Sequence, residues 1–248
     1  MKNRKPIAFR SARPLVRYVD EDQAVIDTIV SVVTTKKDQD APVDVHIRMT
    51  GPRGRVITVQ KGVTLRDGAA MIRFEIGDPR RWWPAGMGDQ ELYEFCITLL
   101  AGDEAMDSWQ TTLGLTSVRS PEGQSEGALL VNGREYSFQS IVAVDPDDER
   151  SVLPASSDSL LLVRDHFGPD ILYDAADRAG ILLIQSVPLK PRNDADFVVN
   201  REVDRLAAHP SLAGWLVGDE TRFSDRIAHR LHHLDPTRYI FRTLPMAS

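Results

Sequence analysis

The hydrophobic pattern of this 248-residue chain changes part-way along, and this change limits the possible folds more than any other feature. Between Ala24 and Val118, short runs of alternating or apolar residues follow one another with turn residues between them. After a polar, glycine-containing linker at residues 120–127, uninterrupted apolar runs alternate with helical spacing. Side chains return to the same face every two residues in a strand and about every 3.6 residues in a helix, so the two patterns indicate different structures. The sequence therefore predicts one domain at residues 1–119 and a second at residues 120–248.

The first half has the pattern of an antiparallel β-sandwich. Val43, Val45 and Ile47 alternate with the polar Asp44 and His46. One set therefore faces inward and the other outward, as a half-buried strand requires. Because His46 lies in the polar set, we expect it to be solvated rather than to bind a metal. The predicted strands are Ala24–Val33, Val43–Met49, Arg55–Gln60, Ala70–Ile76, Leu92–Leu100 and Ser108–Leu115.

The second half has the pattern of a parallel sheet. Uninterrupted apolar strands separated by amphipathic helices are typical of a sheet that is covered on both faces. Gly180 is placed to end the first helix, since glycine accepts the left-handed backbone that often follows a helix. The predicted strands are Leu160–Val163, Ile181–Val187, Leu212–Gly218 and Tyr239–Leu244, and the predicted helices are Pro169–Ala179, Asp194–Ala208 and Arg222–Leu234.

The composition argues against several classes of protein. A formal net charge of -6 and an isoelectric point near 5.5 do not suit a nucleic-acid binder, which needs a basic face. Cys96 is the only cysteine, so we expect no intrachain disulfide and no multi-cysteine metal site. The sequence also lacks a glycine-rich loop of the kind that binds phosphate, and we predict no cofactor. Residues 1–22 lack the apolar centre of a secretory signal, and no run reaches membrane-spanning length. We therefore expect a cytoplasmic protein with no membrane or nucleic-acid partner.

The segment from His209 to Glu220 carries the leading catalytic candidate. Its apolar run ends in Asp219-Glu220, and in barrels of alternating strands and helices the chemistry lies where the strands end. Glu220 is therefore predicted to be a catalytic acid. The alternative is that Asp219 and Glu220 cap the helix predicted from Arg222, because acidic side chains suit a helix N-terminus.

Several segments, taken in order, are similar to those of one known family. They carry a Trp-Trp-Pro pattern, an Asn-Gly turn, a helix leading into an apolar strand, the run that ends at Glu220, and a later Asp-Pro-Thr-Arg sequence. These segments are Arg81–Tyr93, Leu129–Arg134, Leu172–Leu183, His209–Glu220 and Asp235–Arg238. Together they resemble glycoside hydrolase family 2, the group of β-galactosidases, β-mannosidases and β-glucuronidases.

The resemblance implies both a fold and a site. It implies an immunoglobulin-like β-sandwich at residues 1–119, followed by a partial (β/α)8 TIM-type barrel at residues 120–248. It also implies that Glu220 is the acid/base of a glycosidase and that the ligand is a carbohydrate. An exposed loop is the alternative for the Arg and His that resemble the family's pair after its second barrel strand. The residues expected near the sugar are Arg164, His166, Asp219 and Trp215.

The chain also departs from the family's pattern. A retaining glycosidase needs two carboxyl groups about 5 Å apart, one as nucleophile and one as acid and base. No Glu follows Glu220 in the sequence, so the nucleophile has no candidate at the expected place. Asp219 stands where the family has Asn, and an ionised Asp only accepts hydrogen bonds. A complete barrel takes about 250 residues, so we expect at most a partial one.

These departures favour a non-catalytic relative, a pseudoenzyme that binds carbohydrate or serves in assembly. The alternative is a retaining β-glycosidase in which Glu220 is the acid/base and the nucleophile comes from missing sequence or a partner chain. Because an open half-barrel exposes strand edges and an apolar face, we expect a homo-oligomer or a partner subunit to cover them.

Two other groups of residues were candidates for a site. His229 and His233 are spaced to bind a metal from one helix face, but no acidic ligand is placed to complete the site. We therefore expect a solvated helix face and predict no metal. Trp82 and Trp83 have rings that stack well on sugars, but we expect one to lie in the core and the other to pack at the domain junction.

Overall fold

The computed structural model describes residues 7–34, 42–65, 68–119, 128–148, 158–164, 166–188, 195–218 and 221–244. The chain forms two units. The first contains Met1–Arg80 and Leu92–Leu113, and the second contains Arg81–Glu91 and Gly114–Ser248. The second unit thus includes the Trp-Trp-Pro segment, although this segment is far from the rest of the unit in sequence. The domain ranges 1–119 and 120–248 stay predictions.

Two β-sheets build the described part of the first unit. Their strands are β1 (Ile7–Val19), β2 (Gln23–Thr34), β3 (Pro42–Thr50), β4 (Val56–Thr64), β5 (Ala69–Gly77), β6 (Leu92–Ala101) and β7 (Glu104–Gly114). One sheet has the order β1-β2-β5, with both pairs antiparallel. The other has the order β4-β3-β6-β7, and β3 is antiparallel to both of its neighbours.

The core of the first unit joins the two sheets. Phe74 of β5 and Phe95 of β6 stack with their ring centroids 6.4 Å apart. In β3 the alternation predicted from the sequence is confirmed, because the apolar residues are buried and His46, between them, is only half-buried. The two antiparallel sheets and their shared core are consistent with the β-sandwich predicted for the first half of the chain. The buried residues of β3 are Val43, Val45, Ile47 and Met49.

The described part of the second unit contains a small sheet and a larger parallel sheet. Its elements are β8 (Val118–Arg119), β9 (Ala128–Val131), β10 (Arg134–Ser137), β11 (Ser140–Val144), β12 (Ser159–Val163), α1 (Asp170–Ala179), β13 (Leu183–Ser186), α2 (Ala195–Leu206), β14 (Leu212–Leu216), α3 (Arg222–Leu234) and β15 (Tyr239–Phe241). The small antiparallel sheet has the order β10-β9-β8. The larger sheet has the order β11-β12-β13-β14-β15, and every neighbouring pair is parallel.

The parallel sheet fixes where a site can lie. Each of the three helices connects two neighbouring strands, α1 after β12, α2 after β13 and α3 after β14. Because the strands are parallel, their carboxyl ends share one edge of the sheet. All five residues of β12 are buried, as expected for a strand covered on both faces. In the ranges that the structure describes, no helix is long and apolar enough to cross a membrane.

Gly180 ends α1 as the sequence predicts. Its φ is 70°, in the left-handed region, and its backbone N–H donates to the carbonyl of Ala176. A Cβ at this position would lie 2.6 Å from the backbone nitrogen of Ala85. Both the backbone conformation and the lack of space therefore require glycine here.

The Trp-Trp-Pro segment is packed inside the second unit. The Trp82 side chain is fully buried, and its Nε1–H donates to the carbonyl of Asp177 at 2.8 Å. Trp83 is also buried, and the guanidinium groups of Arg81 and Arg134 each lie 4.9 Å from the centre of its ring. These contacts leave little of either ring for stacking on a sugar.

Candidate functional site

Three of the residues predicted near the sugar fall in the described ranges, and they belong to the β12 and β14 segments of the parallel sheet. Arg164 follows β12 directly, and His166 comes two residues later. Trp215 lies within β14. Asp219 and Glu220 come shortly after β14 in the sequence but lie outside the described residues. The carboxyl edge of the parallel sheet is therefore the candidate functional site.

The residues next to Asp219-Glu220 in the sequence are Gly218 and Thr221. Gly218 has a φ of 76°, and Thr221 is the N-cap of α3. The Thr221 Oγ1 accepts a hydrogen bond from the Ser224 backbone N–H at 3.1 Å, and the Ser224 Oγ accepts one from the Thr221 N–H at 2.7 Å. This reciprocal pair is a capping box. The N-cap of α3 is thus Thr221 and not either of the two acidic residues.

Arg164 and His166 lie on the surface at this edge. Both side chains are exposed, and the His166 backbone N–H donates to the Arg164 carbonyl at 2.7 Å. The His166 Nε2 lies 3.1 Å from Oδ1 of Asp147, in the segment after β11. Polar groups that follow two adjacent strands therefore meet. Arg164 and His166 are exposed, as the alternative of an exposed loop predicts, but His166 also contacts Asp147.

Beneath His166, buried polar side chains hold the backbone of the same loop. The Tyr173 hydroxyl of α1 donates to Oε1 of Gln185 and accepts from the Gly168 N–H at 3.2 Å. Nε2 of Gln185, at the end of β13, donates to the His166 carbonyl at 3.2 Å and to the Ser186 carbonyl at 2.7 Å. Burial raises the pKa of Tyr173 to about 12, so its hydroxyl keeps its proton.

Arg205 of α2 adds a third anchor to this loop. Its Nη2 donates to the Gly168 carbonyl at 2.8 Å, and its guanidinium carbon lies 5.5 Å from the centre of the Tyr173 ring. The carboxylates of Glu202 and Asp170 both accept from Arg205, and Glu202 is itself buried. The sequence prediction missed Gln185 and Arg205. For Gln185 the available signal was a single amide in the otherwise apolar strand predicted at Ile181–Val187.

Trp215 is inside the sheet rather than at its surface. Its side chain is fully buried, and its Nε1–H donates to Oδ2 of Asp235 at 3.1 Å. This bond joins β14 to the segment that follows α3. Direct contact between Trp215 and a sugar stays a prediction.

A second cluster of titratable groups lies by the start of β14, at the opposite edge. Oxygen and nitrogen atoms of Asp174, Asp177 and His209 lie within 4.8 Å of one another, a spacing compatible with a metal ion. However, the Asp177 carboxylate already accepts from Nδ1 of His209 at 2.7 Å and from the Ser211 N–H at 3.0 Å. The cluster is therefore a hydrogen-bonded link between α1 and the segment before β14.

The three histidines of α3 are exposed on its surface: His229, His232 and His233.

Comparison with known proteins shows which proteins this chain is similar to. The family model described as glycosyl hydrolases family 2 matches residues 15–115. An exo-beta-D-glucosaminidase from Streptomyces avermitilis is 26% identical over 87% of this chain and 28% of its own length. Beta-mannosidase A from Aspergillus niger is 30% identical over 67% of this chain and 21% of its own length. The crystal structure of a beta-D-mannosidase from Dictyoglomus thermophilum matches with a TM-score of 0.75 and 20% identity, over 95% of this chain and 34% of that one.

These findings confirm the resemblance predicted from the sequence. The chain is related to glycoside hydrolase family 2. At 20% identity, the structural match shows a shared fold alone. The chain spans 28% and 21% of the lengths of the two curated relatives, so the activity of a whole relative does not transfer to it directly.

Proposed function

We propose that this chain is a carbohydrate-binding relative of the family 2 glycoside hydrolases, and that it binds a β-linked glycoside at the carboxyl edge of the parallel sheet. The observation that carries the proposal is the exposed pair of Arg164 and His166. Both follow the end of β12, and His166 contacts Asp147 from the neighbouring segment. Hydrogen-bonding side chains held on a rigid sheet edge suit the hydroxyl groups of a sugar.

The parallel sheet supports the proposal that the second unit is part of a (β/α)8 barrel. Its strands follow one another in sequence order across the sheet, and helices connect β12 to β13, β13 to β14 and β14 to β15. Barrels are built in this way, and their active sites lie at the carboxyl ends of the strands. Under this proposal Asp219 and Glu220 belong to the same sugar site as Arg164 and His166.

For this polypeptide by itself we propose binding without hydrolysis. Retaining hydrolysis requires a nucleophile and an acid/base about 5 Å apart. Glu220 is the candidate acid/base, and no second Glu follows it in the 248 residues. An ionised Asp219 in place of the family's Asn supplies acceptors but no donor to a sugar hydroxyl.

A retaining β-glycosidase is the second candidate function. In it Glu220 is the acid/base, and the nucleophile comes from sequence beyond these residues or from a partner chain. The capping box of Thr221 and Ser224 favours this candidate, because α3 has its own N-cap and does not require Glu220 for that purpose.

Turnover assays separate the two functions. The substrates are 4-nitrophenyl β-glycosides, including the mannoside and the glucosaminide, since relatives are named for these activities. Binding without release of nitrophenol supports the non-catalytic proposal. Release that is lost in a Glu220→Gln variant but kept in a Glu75→Gln variant supports the glycosidase, because Glu75 is an exposed residue of β5.

We also propose that a second copy of the chain or a partner subunit covers the outer strands of the parallel sheet. Among the described residues these strands are β11 and β15, and both carry an exposed apolar side chain, Val142 and Tyr239. An outer strand whose backbone groups are unpaired on one side favours association with another chain. If a second copy covers these strands, light scattering of the chain alone should give a mass above the 27.7 kDa of one chain. If a partner subunit covers them, the mass should exceed that of one chain only after the partner is added. A mass that stays at one chain in both cases would contradict this part of the proposal.

A further inference from the structure

The loop that carries His166 is held by more polar groups than packing requires. We define the His166 loop as residues 166–169. Side chains from three different elements bind its backbone, namely Tyr173 from α1, Gln185 from β13 and Arg205 from α2. Tyr173 and Gln185 are fully buried. Burying polar groups is unfavourable unless they are hydrogen-bonded, and apolar side chains of similar size would hold α1 against β13 equally well.

The hydrogen-bond directions in this network are fixed by its chemistry. Carbonyl groups only accept, so Nε2 of Gln185 must face the carbonyls of His166 and Ser186. Oε1 of Gln185 therefore faces Tyr173 and accepts its hydroxyl proton. The same hydroxyl oxygen then accepts from the Gly168 N–H. Each bond determines the next, so removal of one group disturbs the whole network.

We infer that Tyr173 and Gln185 are positioning residues that hold the His166 loop in the conformation that binds a sugar. This inference rests on the proposed carbohydrate site. Neither side chain is exposed, so both act through the loop backbone rather than on the ligand. His166 is exposed above them and contacts Asp147 at 3.1 Å, so a fixed loop keeps that contact in place.

The sequence offers a matched control at the opposite end of β12. Tyr136 is also a buried tyrosine, and burial raises its pKa to about 12 as well. Its hydroxyl donates to the carbonyl of Ser159, the first residue of β12. A Tyr136→Phe variant therefore removes a comparable buried hydroxyl without touching the His166 loop.

The test compares three variants by NMR and by binding. The His166 ring signals, assigned with a His166→Gln variant, are recorded in Tyr173→Phe, Gln185→Leu and Tyr136→Phe. Binding of 4-nitrophenyl β-mannoside and 4-nitrophenyl β-glucosaminide is measured by calorimetry. We expect the first two variants to shift the His166 signals and to weaken binding about tenfold. We expect Tyr136→Phe to change neither, even where it lowers thermal stability equally.

Two results would overturn the inference. One is a set of His166 signals in Tyr173→Phe and Gln185→Leu that matches the unsubstituted chain. The other is an equal shift in Tyr136→Phe, which would indicate a general loss of stability. If the unsubstituted chain binds neither glycoside, the proposed function fails, and the His166 signals alone then decide whether the pair positions the loop.

Discussion

The imidazole of His209 lies 2.7 Å from the carboxylate of Asp177, measured from Nδ1 to Oδ2, and both side chains are buried. Asp177 is near the end of α1, and His209 precedes β14. Burial disfavours the charged imidazole, but Asp177 and, more weakly, Asp174 outweigh it, so the pKa of His209 is raised above 6.5. The hydrogen bond between the two side chains therefore links α1 to the segment before β14, and folding favours the protonated imidazole of His209.

This proton makes stability depend on pH. Because the pKa of His209 is raised on folding, its contribution is fully present below pH 6.5 and is lost as the pH rises through the folded pKa. We expect the free energy of unfolding to fall over that range, and to fall less in a His209→Gln variant. Urea unfolding at several pH values measures this. The control is His229→Gln, which replaces an exposed histidine and should leave the pH dependence unchanged. If the free energy of unfolding falls as steeply in His209→Gln as in the unsubstituted chain, the prediction is contradicted.

Gly214 is required by the close approach of β14 and β15. A Cβ at this position would lie 2.3 Å from the Tyr239 carbonyl oxygen and 2.8 Å from the Phe241 ring. We expect Gly214→Ala to lower the free energy of unfolding by about 2–3 kcal/mol, because backbone atoms must move. Gly77→Ala is the control, since a Cβ there meets nothing within 4 Å. Equal midpoints of chemical unfolding in the two variants would show that the strands have room for a side chain.

Thr221 caps the helix that follows the candidate acid/base. Removal of its hydroxyl in Thr221→Ala leaves the Ser224 N–H without its side-chain acceptor. We expect a loss of about 1 kcal/mol in the free energy of unfolding. Thr221→Ser keeps the hydroxyl and should stay close to the unsubstituted chain. If thermal unfolding shows the same loss for both variants, the capping box does not account for the stability of α3.

Four parallel strands and three helices of the second unit could be predicted, because the strands are largely apolar runs between amphipathic helices. The predicted helix Arg222–Leu234 agrees with α3, and the other six predicted elements differ from the structure by a few residues at their ends, whereas β8, β9, β10 and β11 were not predicted. In the first unit, β1 (Ile7–Val19) was not predicted. Its pairing with β2 shifts register between Phe9 and Ser11 and again further along, which disrupts the two-residue alternation. Arg13 is also buried in the middle of this strand, where an apolar residue is usual.

The candidate site could be predicted only in part. Arg164 and His166 were predicted from the resemblance to glycoside hydrolase family 2, because they match the family's Arg and His after its second barrel strand. Gln185 was missed because its partners become visible only when α1 is packed on β13. The role of Glu220 stays a prediction, since residues 219 and 220 lie outside the described ranges.

The account depends most on sugar binding at the carboxyl edge of the parallel sheet. Calorimetric titration with 4-nitrophenyl β-mannoside and β-glucosaminide tests this directly in the unsubstituted chain, in Arg164→Ala and in Arg178→Ala. Both arginines are exposed, but Arg178 is in the last turn of α1, away from that edge. We expect binding that Arg164→Ala weakens at least about tenfold and that Arg178→Ala leaves unchanged. Absence of binding to either glycoside, or equal effects of the two substitutions, would contradict the proposed site.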